Sequence, residues 1–328
     1  MSKPRVFVSR IIAVKALEKL SGEADIEVWQ DDLPPSYEVL TEKVGDVEGL
    51  LSLLTDKVDA ALMDAAPKLK VVSNFAVGYD NINVPEATRR GIPVSNTPEV
   101  LTETTADLAF TLLVSAARRV VEADKYTRAG KWKTWGPALM LGQDINHATL
   151  GIIGLGRIGK EMAKRGKGFD MKVIYYDEYP APAEIEKELG LRRVSTLDEL
   201  LTEADFISIH VPLTEDTRHL IAEKEFEKMK STAVLVNSAR GPVVDQKALY
   251  NALKSGKIFS AGLDVTEVEP IAPDDPLLTL DNVIILPHIA SGSVVTREKM
   301  AVMAADNIIA GLRGEPLPNC VNPEVQQG

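Results

Sequence analysis

The segment TLGIIGLGRIGKEMAKRGKGF, residues 149–169, limits the possible folds of this chain more than any other. An apolar run, Thr149–Ile153, reads as a buried strand. It passes into Gly154-x-Gly156-x-x-Gly159, and a helix is expected over Ile158–Lys167. Glycine at 154 permits a tight turn, at 156 it lets the backbone approach a pyrophosphate, and at 159 it lets helix and strand pack closely. The helix N-terminus then offers N–H groups to an anion. The pattern lies between a strand and a helix, so it reads as a dinucleotide-binding fingerprint rather than a plain glycine-rich turn.

The next strand, MKVIYYD, ends at Asp177, 18 positions after Gly159. A carboxylate there accepts hydrogen bonds from ribose hydroxyls and repels a 2′-phosphate. Glu178, Tyr179 and Pro180 bring no cation to offset it, so NADH is expected in preference to NADPH. Arg157, inside the loop, reads either as a partner along the pyrophosphate or as surface charge.

Chain totals set the outer bounds. At 328 residues, two domains are expected. The net charge of −11 argues against nucleic acid or an anionic membrane as partner. The single cysteine, Cys320, makes neither an intrachain disulfide nor a thiolate metal cluster, and no metal is expected. The start, MSKPRVFVSR, has no signal-peptide core, and no run approaches a membrane span, so a cytoplasmic protein is expected.

Short apolar runs alternate with amphipathic stretches. Strands are expected at Arg5–Val8, Glu27–Trp29, Gly49–Leu53, Val71–Asn74 and Pro93–Ser95. Others are expected at Thr149–Ile153, Lys172–Tyr176, Phe206–His210, Ala233–Asn237, Ser260–Asp264 and Asn282–Leu286. Such alternation predicts an α/β protein with two doubly wound parallel-sheet (Rossmann/flavodoxin-like) domains. A long helix is expected from about Leu101 to Gly130, with Thr102 as N-cap. The predicted division is residues 1–98 plus 291–328 as a discontinuous substrate-binding domain and 99–290 as the dinucleotide-binding domain, with ligands in a cleft between them. Only about Val325–Gly328 reads as a tail.

Three later strands end in residues with chemical capacity. AVLVNSARG runs into Arg240, SAGLDVTEVEP carries Asp264 and Glu269, and NVIILPH runs into His288. In a doubly wound sheet ligands bind outside the carboxyl ends of the strands. Reduction of a 2-oxo acid needs a cation for the carboxylate, a proton donor for the nascent alkoxide, and a hydride. A guanidinium fork suits the first and an imidazolium the second. A glutamate on the other ring nitrogen would fix the tautomer, and reduced nicotinamide supplies the hydride. Singly, each residue has an ordinary reading as a loop charge or a packed histidine. Their coincidence at strand ends, after a nucleotide loop, favours the catalytic one. His210, also at a strand end, has no acid at suitable spacing and is read as lining the cofactor crevice. His147 and His219 look like surface residues. The small residues Ala290, Ser291 and Gly292 leave room for a flat nicotinamide ring.

Taken together, GIIGLGRIGKEMAKR, VNSARGPVVDQKAL, AGLDVTEVEP and LPHIASGS resemble the signature segments of the D-isomer-specific 2-hydroxyacid dehydrogenases. VVSNFAVGYDNIN, GIPVSNTP and TETTADLAFTLL match further recurrent segments, in order along nearly the whole chain. The resemblance implies two similar α/β domains and a homodimer. It gives Arg240 the substrate carboxylate and carbonyl oxygen, His288 the acid/base role, and Glu269 the place of its partner. Val77 and Gly78 would offer backbone N–H groups to the substrate carboxylate. Asp264 would face the nicotinamide carboxamide and Thr105 would lie near the ring. Ile158, Pro212, Thr217, Ser238 and Ala239 would lie along the cofactor.

Within the family the chain looks most like the glyoxylate/hydroxypyruvate reductases. GLLSLLTDKVD resembles their substrate-side segment, with Leu54 near the ligand. WKTWGPALMLGQDI resembles their aromatic-rich loop, where Trp135 would reach a substrate across a dimer interface; the other reading of Trp132 and Trp135 is a hydrophobic dimer contact. The expected activity is therefore NADH-dependent reduction of glyoxylate or hydroxypyruvate. The alternatives are another D-2-hydroxyacid dehydrogenase (D-lactate- or phosphoglycerate-type), an NAD-sensing corepressor-like binding protein, or an enzyme taking hydride from phosphite or formate.

Overall fold

The computed structural model describes residues 3–326. The chain divides into two compact units, one running through Leu101 and resuming at Ser291, the other spanning Thr102–Ala290.

The first unit holds a five-stranded parallel sheet. Its strands are β1 (Arg5–Val8), β2 (Asp25–Val28), β3 (Gly49–Ser52), β4 (Val71–Asn74) and β5 (Val94–Ser95), in the order β2-β1-β3-β4-β5. Helices α1 (Val14–Glu23), α2 (Tyr37–Lys43), α3 (Ala60–Asp64) and α4 (Val84–Arg89) connect them. Phe7, Leu50, Val72 and Val94 leave one face of the sheet and meet Leu40 and Leu62 in a buried cluster. The C-terminal helix Val294–Leu312 starts where the Ser293 hydroxyl accepts the Thr296 N–H, at 3.1 Å, and packs on α1, β3 and β4. Val325, read from sequence as tail, instead lies in a 3-10 turn at Pro323–Gln326; Gln327 and Gly328 lie outside the described residues.

The second unit carries seven parallel strands: β6 (Thr149–Ile153), β7 (Lys172–Tyr176), β8 (Leu191–Arg193), β9 (Phe206–Ile209), β10 (Val234–Asn237), β11 (Ser260–Leu263) and β12 (Val283–Ile285). Their order is β12-β11-β10-β9-β6-β7-β8, so the order of strand addition reverses between β6 and β9. Helices α5 (Thr102–Ala117), α6 (Val120–Arg128), α7 (Arg157–Gly168), α8 (Ala183–Leu189), α9 (Leu197–Glu203), α10 (Glu223–Lys228) and α11 (Gln246–Lys254) cover both faces. Period-two alternation divides the strand side chains between two cores. Leu235 joins Leu249 and Leu253 of α11, while Val234 and Val236 join Ala109, Leu112 and Leu113 of α5.

Two further expectations change, and one strand was not expected. The helix expected through Gly130 breaks at Arg119, which is left-handed with φ 54°. The Ala117 carbonyl that would continue it accepts the Gln143 N–H instead, at 2.9 Å. Thr102 is the first helical residue rather than the cap. The edge strand β8, sequence LRR, has no apolar run and so left no periodic signal.

The reversal between β6 and β9 is where ligands bind in such sheets. There the His210 N–H donates to the Ile153 carbonyl at 2.7 Å, and its Nε2 bonds the Ser208 hydroxyl at 2.8 Å. Burial pushes the imidazole pKa from 6.5 down to about 4. Folded His210 therefore stays neutral while the unfolded chain takes up a proton below about pH 6.5. The stability it contributes is present above that pH and is lost as pH falls towards 4. Against His210→Asn, the wild type should lose its Tm advantage as pH drops from 7 to 4. A pH-independent gap in thermal melts would refute this.

Candidate active site

The glycine loop is built as its spacing requires. Gly154 has φ +90°, and a Cβ on it would lie 2.8 Å from Val211 and 2.9 Å from the His210 backbone. A Cβ on Gly159 would lie 2.2 Å from the Gly154 carbonyl oxygen. Gly156 caps α7, and a Cβ there would meet nothing within 4 Å, so the approach to the helix N-terminus is open. Arg157 and Ile158 begin α7, with Arg157 exposed.

Asp177 stands past the end of β7. One carboxylate oxygen accepts the Leu155 N–H at 2.7 Å and the other the Tyr179 N–H at 3.0 Å, which ties the strand tip to the glycine loop. Sequence reading missed a cation beside it. Register pairs Tyr175 of β7 with Arg193 of β8, and Arg193 Nη2 donates to the Asp177 and Glu178 carbonyls at 3.0 and 3.3 Å.

On the other side of the reversal, Ser238 follows β10. Its Oγ is buried and has no hydrogen-bond partner among the described residues. An orphaned buried hydroxyl past the end of β10 and an open helix N-terminus past the end of β6 each fit a polar ligand group. Ala239 is held by its N–H to Asn237 Oδ1 at 3.0 Å. Thr217 Oγ1 donates to the Pro212 carbonyl at 2.6 Å, closing the loop after His210. Thr105 is buried on α5.

The three chemically capable residues follow neighbouring strands. Asn237 of β10 pairs with Leu263 of β11, which pairs with Ile285 of β12. Arg240 and His288 each lie three residues beyond those registers. The Arg240 carbonyl accepts Asn237 Nδ2 at 2.9 Å, and its Nη1 donates to the Ala239 carbonyl at 2.8 Å.

His288 Nδ1 lies 2.7 Å from Glu269 Oε2, and Glu269 Oε1 accepts the Thr266 N–H at 3.2 Å. An ionised carboxylate only accepts, so Nδ1 carries the proton of that bond and Nε2 is left for a reactant. The His288 side chain keeps 24% of its surface exposed, enough to meet a ligand.

Asp264 braces the turn that carries His288. It is fully buried, and its two carboxylate oxygens accept the N–H groups of Ile289 and Ala290, each at 2.7 Å. Its own carbonyl accepts the His288 N–H at 2.9 Å. Burial pushes its carboxyl pKa up, and the two N–H bonds oppose that rise. Asp264 thus holds His288 in a left-handed turn, φ 53°.

In the first unit, Asn96 Nδ2 donates to the Val77 carbonyl at 2.7 Å and Asn74 Nδ2 to the Gly78 carbonyl at 2.8 Å. Trans peptide geometry then aims the Gly78 N–H away from Asn96. Asn81 Nδ2 braces the loop beside half-buried Leu54 through the Leu53 and Asp56 carbonyls, at 3.0 and 2.9 Å. These asparagines carry no spacing signal, because their partners are main-chain carbonyls. The Ser291 carbonyl accepts Arg297 Nε at 3.3 Å. Trp135 is 78% exposed.

A family model described as the D-isomer specific 2-hydroxyacid dehydrogenase NAD binding domain matches residues 110–290. The chain is 58% identical to a glyoxylate reductase of Korarchaeum cryptofilum, across 98% of this chain and 97% of that one. It is 50% identical to a glyoxylate reductase of Thermococcus litoralis, across 98% of each. A crystal structure of a protein from Thermus thermophilus superposes with a TM-score of 0.91 at 44% identity, over 97% of this chain and 99% of that one. An NADPH-dependent glyoxylate/hydroxypyruvate reductase of Sinorhizobium meliloti, crystallised with NADP and malonate, does so at 0.86 and 35%, over 98% and 97%. The chain is an oxidoreductase and belongs to the D-isomer specific 2-hydroxyacid dehydrogenase family.

Proposed function

We propose that the protein reduces a small 2-oxo acid, glyoxylate or hydroxypyruvate, to the 2-hydroxy acid with NADH, His288 delivering the proton. The observation that carries this reading is the His288–Glu269 pair at 2.7 Å, past the ends of β12 and β11, the latter paired with β10, which leads into Arg240. The relatives that are glyoxylate reductases support the substrate class.

Bound reduced nicotinamide supplies the hydride. The Arg240 guanidinium takes the carboxylate and polarises the carbonyl oxygen. His288 Nε2 gives its proton to the oxygen as negative charge develops, and Glu269 keeps the ring oriented through Nδ1. The glycine loop and Arg157–Ile158 receive the pyrophosphate, Asp177 the adenosine ribose, and Ser238 Oγ a polar group of the coenzyme. His210, Pro212, Thr217 and Ala239 line the same crevice, with Thr105 near the nicotinamide. Leu54, Val77 and Gly78 form the substrate side, and Ser291 leaves room for the ring.

Arg193 favours a second reading of the coenzyme. A guanidinium beside Asp177 is available to a 2′-phosphate once its main-chain contacts are exchanged. Parallel kcat/KM measurements with NADH and NADPH, over a panel of 2-oxo acids, decide between the readings. Turnover with none of the acids would refute the proposal.

His288→Ala should lower kcat by about 10²–10⁴-fold, the usual worth of a positioned proton donor. Arg240→Lys should lower kcat/KM by about 10–100-fold, through loss of a bidentate charged hydrogen bond. Near-wild-type kinetics in either variant would exclude that role.

We further propose a cytosolic homodimer. Trp132, Trp135, Leu139 and Leu141 are 59, 78, 40 and 61% exposed on the irregular stretch after α6, more apolar surface than a monomer usually leaves bare in one segment. Sedimentation equilibrium should give twice the chain mass, and the Trp135→Asp/Leu141→Asp double variant should shift it towards the monomer. A monomeric wild type would end this proposal.

A further inference from the structure

A second histidine–carboxylate pair lies beside the first. His219, a surface residue in the sequence reading, has φ 51°, which a non-glycine residue keeps only where its surroundings enforce it. Its main-chain N–H donates to the Pro242 carbonyl at 2.8 Å, two residues past Arg240. Its Nε2 lies 2.8 Å from Glu267 Oε1, two residues before Glu269. One residue therefore grips both loops that carry the proposed chemistry.

The grip continues beyond His219. Glu267 Oε2 accepts the Gln246 N–H at 3.3 Å, and the Glu267 N–H donates to Gln246 Oε1 at 2.9 Å. Gln246 Nε2 in turn donates to Asp275 Oδ2 at 2.7 Å. The two loops also touch backbone to backbone: a Cβ on Gly241 would lie 1.8 Å from the Thr266 carbonyl oxygen and 2.6 Å from the Glu267 nitrogen. Only glycine at 241 allows that approach. Thr266 then passes the position on, because its N–H holds Glu269 Oε1 at 3.2 Å and Glu269 holds His288.

We propose that His219 and Glu267 are positioning residues that lock the Arg240 loop to the Glu269 loop, setting the geometry of the Glu269–His288 pair without touching substrate. The inference rests on the proposed 2-oxo acid reduction for its kinetic arm only.

The test uses His219→Ala and His219→Gln in the full-length protein. A small displacement of a proton donor is costly, so His219→Ala should lower kcat about tenfold, with KM for glyoxylate and Kd for NADH within about twofold of wild type. His219→Gln, which keeps a donor near Glu267, should recover most of the loss. In a His288→Ala background the His219→Ala step should cost nothing further, because its effect passes through His288. Hydrogen exchange at the Thr266 and Glu267 amides should quicken about tenfold in His219→Ala, as their loop loosens. Unchanged kcat, or the same fractional loss in the His288→Ala background, would overturn the proposal. So would unchanged exchange at those amides. If the wild type reduces no 2-oxo acid, the functional reading fails and the exchange measurement alone decides the lock.

Discussion

One buried carboxylate underlies the proposed chemistry. Asp264, fully removed from solvent, spends both oxygens on the N–H groups of Ile289 and Ala290, while its carbonyl holds the His288 N–H. The left-handed backbone at His288 costs about 1–3 kcal/mol in isolation. Three hydrogen bonds from one residue, two to a charged acceptor, are enough to offset it. The turn then presents the imidazole to Glu269 at the strand ends rather than folding it against the sheet.

The parallel sheet supplies the rest of the placement. Register carries β10, β11 and β12 side by side to the same edge, so residues dozens of positions apart in sequence emerge together. Helices cover both faces, and the strand ends are the natural outlet for polar side chains. Those ends are braced by short-range bonds, such as Asn237 to the Arg240 carbonyl.

Legibility in the sequence followed the strength of the physical signal. Apolar runs such as FISI and VLVN are buried on both faces and were readable as strands. The glycine spacing was readable because 154 and 159 tolerate no Cβ. Arg240, Glu269 and His288 were readable as candidates because each follows such a run. Strand β8 was not, since two of its three residues are exposed arginines. The break at Arg119 was not, because its cause, the Gln143 N–H on the Ala117 carbonyl, lies 26 residues from the helix end. Asp264 was readable as a strand-end acid but not as the brace of the His288 turn, because its partners are main-chain amides. His219 escaped for a similar reason: its partner, Glu267, lies 48 residues away.

The bond from the Leu155 N–H to Asp177 bears on how coenzyme preference could drift in this lineage. On the proposed reading the acid that discriminates between coenzymes is also a mechanical strut of the glycine loop. Replacing it with a small neutral residue leaves a main-chain donor at the loop without its partner, at about 1–3 kcal/mol where the donor stays dry. Selectivity and loop rigidity are thus coupled in one side chain. On that reading, any substitution of Asp177 that relaxes coenzyme selectivity also loosens the glycine loop.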